Sequence, residues 1–115
     1  MSTLKIRIMG REVPIEWENQ GAVQAIMNKL SAQKRINISK NGIAQSGSLG
    51  ISVPRNDRNL LTKPGDILLQ GDKIVIYSGA GDVSGTKLGH ISGFSESQIK
   101  NMLAPGSLAM ELYEG

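Results

Sequence analysis

The sequence predicts a mainly β protein: a closed antiparallel β-barrel of about eight strands with two α-helices. Three observations carry that prediction. Most of the chain runs in short segments that alternate apolar and polar residues, separated by tight-turn dipeptides. Only 19–32 and 94–104 switch to the period of a helix face. The runs "DILLQ" and "KIVIY" (66–70 and 73–77) are apolar on both faces, which suits strands covered inside and out, as where a helix packs outside a closed barrel. A barrel also hides the edges of such strands, and two helices could plug its open ends.

The elements follow in order. "LKIRIM" (4–9) places Leu4, Ile6 and Ile8 on one face, and "EVPIEW" (12–17) does the same with Val13, Ile15 and Trp17. A two-residue Gly10-Arg11 turn between them pairs Ile8 with Val13, Ile6 with Ile15 and Leu4 with Trp17, and sets Lys5 opposite Glu16. Residues 19–32 carry Val23, Ile26, Met27 and Leu30 on a helical stripe behind an Asn19 cap. "KRINIS" (34–39) alternates with Ile36 and Ile38 inward, and Asn41-Gly42 signals a tight turn. "SLGISVP" (48–54) reads as a strand weakened by Gly50, and 55–65 as a polar loop ending in Pro64-Gly65. Gly71-Asp72 turns the next hairpin. A glycine loop (79–85) leads to a short strand at Leu88. In "FSESQIKNMLA" (94–104), Ser95 and Gln98 form a capping box, Phe94 and Ile99 a hydrophobic staple, and Pro105-Gly106 the stop. "SLAMELYE" (107–114) closes with Leu108, Met110 and Leu112 on one face.

Size and composition bound the function. The 115 residues suffice for one domain, 1–115, with one core. There is no cysteine, which removes disulfides, thiolate metal sites and cysteine nucleophiles. A single histidine excludes a multi-histidine metal site, so neither metal nor cofactor is expected. The absence of cysteine and of an apolar leader fits a cytoplasmic protein with no membrane segment. The balance of 13 basic and 10 acidic residues gives a net charge of only +3, with no dense basic patch and four aromatic residues, so nucleic acid is not an expected partner.

Three pieces together carry a resemblance: "PGDILLQGDKIVIYSG" (64–79), "TKLGHIS" (86–92), and "LKIRIMGREV" followed by the helix of 19–32. In their order and spacing they resemble the small prokaryotic cyclophilin-like proteins, a single-domain family that shares the cyclophilin β-barrel. The matching positions are Gly65, Asp66, Tyr77, Gly79, Leu88, Gly89, His90 and Ile91, with His90 where that family commonly has a basic residue. The resemblance spans nearly the whole chain and implies the cyclophilin barrel. It does not bring the isomerase site of true cyclophilins. That site is an arginine beside a Phe-rich, Gln-containing segment, with a further Phe, a Trp and a His around an apolar proline pocket. Here the one Phe is the helix staple Phe94, the one Trp is Trp17 of the first hairpin, and the nearest arginine, Arg55, has no aromatic companions.

The expectation is therefore a binding module for a small molecule or an extended peptide, lacking the prolyl isomerase site; the alternative is a divergent peptidyl-prolyl cis-trans isomerase using Arg55. The expected pocket rim is Arg55, Tyr77, Thr86, Lys87 and His90, with Tyr77 as its apolar wall. The glycine loop fails as a phosphate cradle because it leads into a strand, not a helix; it reads as a connector or as the rim of a pocket. Asp66 and Tyr77 face each other in their hairpin, so the phenol could hydrogen-bond the carboxylate. His90 should share its face with Leu88 and Ser92. Arg55 and Arg58 read as an anion clamp or a solvated loop, Met27 and Met102 as core. If the last strand ends at a sheet edge, a second copy of the chain could pair with it as a homodimer.

Overall fold

The computed structural model describes residues 3–30 and 33–115. Its elements are β1 (Leu4–Ile8), β2 (Arg11–Val13), β3 (Ile15–Trp17), α1 (Gln20–Lys29), β4 (Gln33–Asn41) and β5 (Ala44–Ser48). They continue as β6 (Arg58–Leu61), β7 (Asp66–Gln70), β8 (Lys73–Tyr77), β9 (Asp82–Ile91), α2 (Glu96–Met102) and β10 (Ser107–Glu114). Every pairing is antiparallel, in the order β2-β1-β10-β4-β5-β8-β7-β9-β3, with β6 attached to β9. Only Pro14 separates β2 from β3, so the two ends of that order are neighbours in the chain and the sheet nearly closes on itself. This is the mainly β barrel with two helices that the alternating pattern predicts.

Alternation sends Leu4, Ile6, Ile8, Ile36, Ile38, Ile67, Leu69, Ile74, Ile76, Leu108, Met110 and Leu112 into one buried cluster. Both helices add to it. Asn19 caps α1 by accepting from the Ala22 amide at 3.1 Å, and Val23 and Ile26 enter the core. Met27 and Leu30 pack against it half-buried; residues 31 and 32 of the expected helix lie outside the described residues. In α2 the capping box is complete: Gln98 N donates to Ser95 Oγ at 3.2 Å, and Ser95 N donates to Gln98 Oε1 at 2.8 Å. Ile99 is buried and Phe94 packs half-buried against the same core, as a staple requires.

Several local expectations are corrected. The first hairpin turns at Met9-Gly10, both with positive φ (53° and 79°), and pairs Ile6 with Val13 and Ile8 with Arg11. The expected register differs by two residues, a shift that leaves every side chain on its own face and that the apolar pattern cannot detect. Beyond Val13 the chain leaves β1 altogether: Ile15 pairs with Ile91 and Trp17 with Gly89. Lys5 accordingly lies 3.8 Å from Glu12, not opposite Glu16. The strand expected at 48–54 ends at Ser48, where Leu49 is followed by Gly50 at φ 73°. Residues 58–61 of the expected polar loop form β6 instead. The glycine loop shrinks likewise, because β9 already begins at Asp82.

The outer face of β7 and β8 is covered, but by strand rather than helix. Leu68, Val75 and Tyr77 form a second buried cluster beneath Leu60 of β6 and Val83 of β9. Finally, β10 is no edge. It pairs with β1 on one side and β4 on the other, so it offers no free ladder to a second copy.

Glycines test this geometry. A Cβ on Gly89 would lie 2.3 Å from the Glu16 carbonyl oxygen and 2.9 Å from Trp17 Cα, because β3 crosses tightly there. Gly89→Ala is expected to destabilise the chain by about 2–3 kcal/mol in urea unfolding. Gly21→Ala, on the exposed start of α1 with only Asn19 Oδ1 at 3.8 Å, is expected to stabilise it by about 0.5 kcal/mol.

Candidate functional site

The site begins with a fault in a strand. β9 pairs Thr86 with Leu69 and Lys87 with Leu68, then Gly89 with Ile67. Leu88 is the extra residue of a β-bulge. Without it, Lys87 and His90 would point to opposite faces, being three residues apart. With it, Leu88 and Ile91 both enter the core while Lys87 and His90 both remain part-exposed on the outer side. His90 therefore does not share a face with Leu88. The bulge also frees the Leu88 carbonyl, which accepts from the Glu18 amide at 2.8 Å and the Asn19 amide at 3.1 Å. That bond pair fixes the start of α1 against β9.

Glu18 is thereby set between two basic side chains. Its Oε2 lies 2.8 Å from His90 Nδ1 and 3.3 Å from Lys87 Nζ. Lys87 Nζ is also 3.6 Å from Asp66 Oδ1, and His90 Nε2 is 3.5 Å from Glu16 Oε2. Asp66 is buried, and its Oδ2 accepts the Lys63 amide at 2.9 Å across a turn with Pro64 and Gly65 (φ 95°) at its centre. The result is an alternating chain of acidic and basic side chains, Asp66, Lys87, Glu18 and His90, drawn from β7, β9 and the link between β3 and α1. Partial burial raises the Glu18 carboxyl, but the hydrogen bonds from His90 and Lys87 and their charges outweigh it and lower the carboxyl from its ordinary 4.5.

Two concave surfaces meet at this chain. A groove of about 680 Å³ has Glu18, Asn19 and Gln20 on one side and Asn56, Arg58, Asn59, Leu60 and Leu61 on the other, with Lys87 also lining it. A smaller recess of about 210 Å³ shares Glu18 and Lys87 and adds Lys63, Pro64, Asp66 and His90. Its lining carries side chains of both signs, with Pro64 as an apolar patch and no Phe, Tyr or Trp. Among the described residues, no three His, Asp or Glu side chains are grouped as a metal ion would need.

Of the five expected rim residues, the structure brings Lys87 and His90 together. Thr86 neighbours them in sequence but is buried: its hydroxyl accepts from the Asn56 amide at 2.8 Å and donates to Asp57 Oδ1 at 2.7 Å. It thus pins the segment that leads into β6. Arg55 pairs with Asp57 at 3.1 Å and lines a separate hollow of about 500 Å³ beside Ile51, Val53 and Gly71. Tyr77 lies in the outer buried cluster, 4 % exposed, and lines none of these three surfaces. Burial pushes its phenol up, against a hydrogen bond with Gln70; Asp66 bonds Lys63 and Lys87 instead. Glu18 and Asn59 escaped the sequence reading, while Asn19 was read only as a helix cap and Arg58 only as part of an anion clamp or a solvated loop. The one signal for Glu18 was Gly89, since a glycine inside a strand suggests a bulge or close backbone approach.

Two measurements follow. Thr86→Val keeps the shape and removes both hydroxyl bonds, so a loss of about 1–3 kcal/mol is expected, with faster amide exchange over 55–58. Because Glu18 titrates lower folded than unfolded, its contribution is present above pH 4.5 and lost as pH falls through the lowered value. Urea unfolding followed down that window should show a shallower decline for Glu18→Gln than for the parent chain.

No protein-family model and no curated protein matches the sequence. The chain is similar in fold to the solution structure of a hypothetical protein from Archaeoglobus fulgidus, with a TM-score of 0.64 at 14 % identity over 98 % of this chain and 93 % of that one. At that identity the likeness is one of fold alone.

Proposed function

We propose that this chain is a cyclophilin-like binding module, taking a small polar molecule or an extended peptide, and that it lacks a prolyl isomerase site. The observation that carries the reading is the groove and recess joined at Glu18 and Lys87. A volume of about 680 Å³ falls within the usual range for ligand sites. Groove and recess together offer amide groups, the Glu18 carboxylate, the Lys87 ammonium and the His90 imidazole, and the last three, being part-exposed, can turn from a neighbour to a ligand at little cost. Prolyl isomerisation asks for something else: an apolar pocket that desolvates the ring and an arginine that assists the twisting amide. Arg55 faces its own Asp57, and the hollow it lines has only Ile51 and Val53 as large apolar side chains.

The test is an amide-shift titration of the whole chain with a mixture of small carboxylic and amino acids, and separately with an acetylated Ala-Ala-Pro-Ala peptide. Prolyl cis/trans exchange is recorded in the peptide tubes. The expected result is shifts centred on Glu18, Asn19, Lys87 and His90, unaccelerated exchange, and binding weakened about tenfold by Lys87→Ala. Accelerated exchange that Arg55→Ala abolishes would overturn the reading and make the chain a divergent isomerase.

A further inference from the structure

β6 is a strand with one partner. Its pairs with β9 run Arg58 with Gly85, Asn59 with Ser84, Leu60 with Val83 and Leu61 with Asp82. The same ladder continues to Thr62, whose amide donates to the Gly81 carbonyl at 2.9 Å. In an antiparallel ladder the bonded pairs alternate, so Arg58, Leu60 and Thr62 direct their peptide groups at β9. The N–H and C=O groups of Asn59 and Leu61 therefore point the other way, and no strand among the described residues receives them. Natural sheets usually blunt such an edge with charge, proline or a covering element. Here the edge forms one side of the groove of about 680 Å³, across from Glu18, Asn19 and Gln20.

Resting on the binding reading above, and narrowing it, we propose that the groove takes an extended acidic peptide that adds a strand to the free edge of β6. Charge complementarity selects this occupant. Lys87 is already shared by two carboxylates, and Glu18 by Lys87 and His90. Arg58 has no ion pair or side-chain hydrogen bond among the described residues, so the groove's uncompensated charge is positive. Side-chain chemistry sets the pattern of the incoming strand. An acidic residue belongs opposite Arg58 and apolar residues opposite Leu60 and Leu61, the latter an apolar side chain left 66 % exposed. Main-chain bonds to Asn59 and Leu61 supply the affinity, as in other cases of strand addition.

The test titrates the labelled whole chain with Ac-Thr-Val-Val-Thr-Glu-Thr-NH2, with the same peptide carrying Lys for Glu, and with a form N-methylated at its two central residues. The expected result is hydrogen-exchange protection at the Asn59 and Leu61 amides with the first peptide. Affinity should fall about tenfold for the Lys form and for the N-methylated form. Arg58→Ala should erase the preference for Glu over Lys, and Leu61→Pro, which removes one outward N–H, should weaken binding while the amide spectrum stays dispersed. Shifts at Glu18 and Lys87 without protection of Asn59 and Leu61 would overturn strand addition and leave the binding reading standing. No shift with any of the three peptides would overturn it too, and the small-molecule titration then decides the binding reading separately. Protection of the two amides that grows with protein concentration alone would assign the edge to a second copy of the chain and overturn the peptide.

Discussion

The chain between Arg11 and Trp17 changes partners at Pro14, and barrel closure depends on that exchange. Its first half pairs with β1 and its second with β9, so one short segment joins the two ends of the sheet. Proline suits the crossing point because it has no N–H to leave unpaired there. Its carbonyl is still used, accepting from the Ser92 amide at 2.9 Å. On the far side, β3 can reach β9 only because Gly89 has no side chain where the Glu16 and Trp17 backbone passes. Trp17 then reaches back across the junction, its Nε1 donating to the Leu4 carbonyl at 2.8 Å. Closure buries the edges that β1 and β9 would otherwise expose.

The candidate site is a consequence of the same junction. β9 carries a bulge one residue before Gly89, and the freed Leu88 carbonyl holds the two residues that follow β3. Barrel closure, helix start and charge chain thus share a few consecutive residues. That sharing makes the chain of Asp66, Lys87, Glu18 and His90 rigid at its backbone, with Asp66 buried as its anchor while the ends of Lys87, Glu18 and His90 stay part-exposed, which is the combination a binding surface needs. The opposite wall is held differently. β6 has a single pairing strand and depends on Leu60 packing over Tyr77 and on Thr86 gripping the segment before it. One wall is built into the barrel and the other is laid over it.

How much of this was legible follows from the range of each interaction. Hydrophobic alternation named the inward residues of β1, β4, β7, β8 and β10 correctly, because burial on one face of a strand is written at a period of two. The caps of α1 and α2 were readable for the same reason: Asn19 to Ala22 and Ser95 to Gln98 each act over three residues. Glycine and proline marked turns at Gly42, Gly65 and Gly71, all with positive φ. Lys87 and His90 were found as neighbours, but the reason they share a side, the bulge at Leu88, was not. Glu18 was missed altogether, since its partner His90 is 72 residues away.

The sequence by itself therefore determined the fold class, the core and the helix N-terminal caps, all of which rest on local periodicity and local hydrogen bonds. Tertiary structure alone decided three things. It chose the register of the first hairpin, where a two-residue slip keeps every apolar side chain inward and only the pull of β9 on β3 breaks the tie. It turned 58–61 into a strand, although those residues show little pattern, because β9 offered a ladder and Tyr77 an apolar surface to cover. And it separated Tyr77 and Arg55 from Lys87 and His90, since which side of a barrel a strand faces depends on how far the sheet has curled, a quantity no short stretch of chain contains.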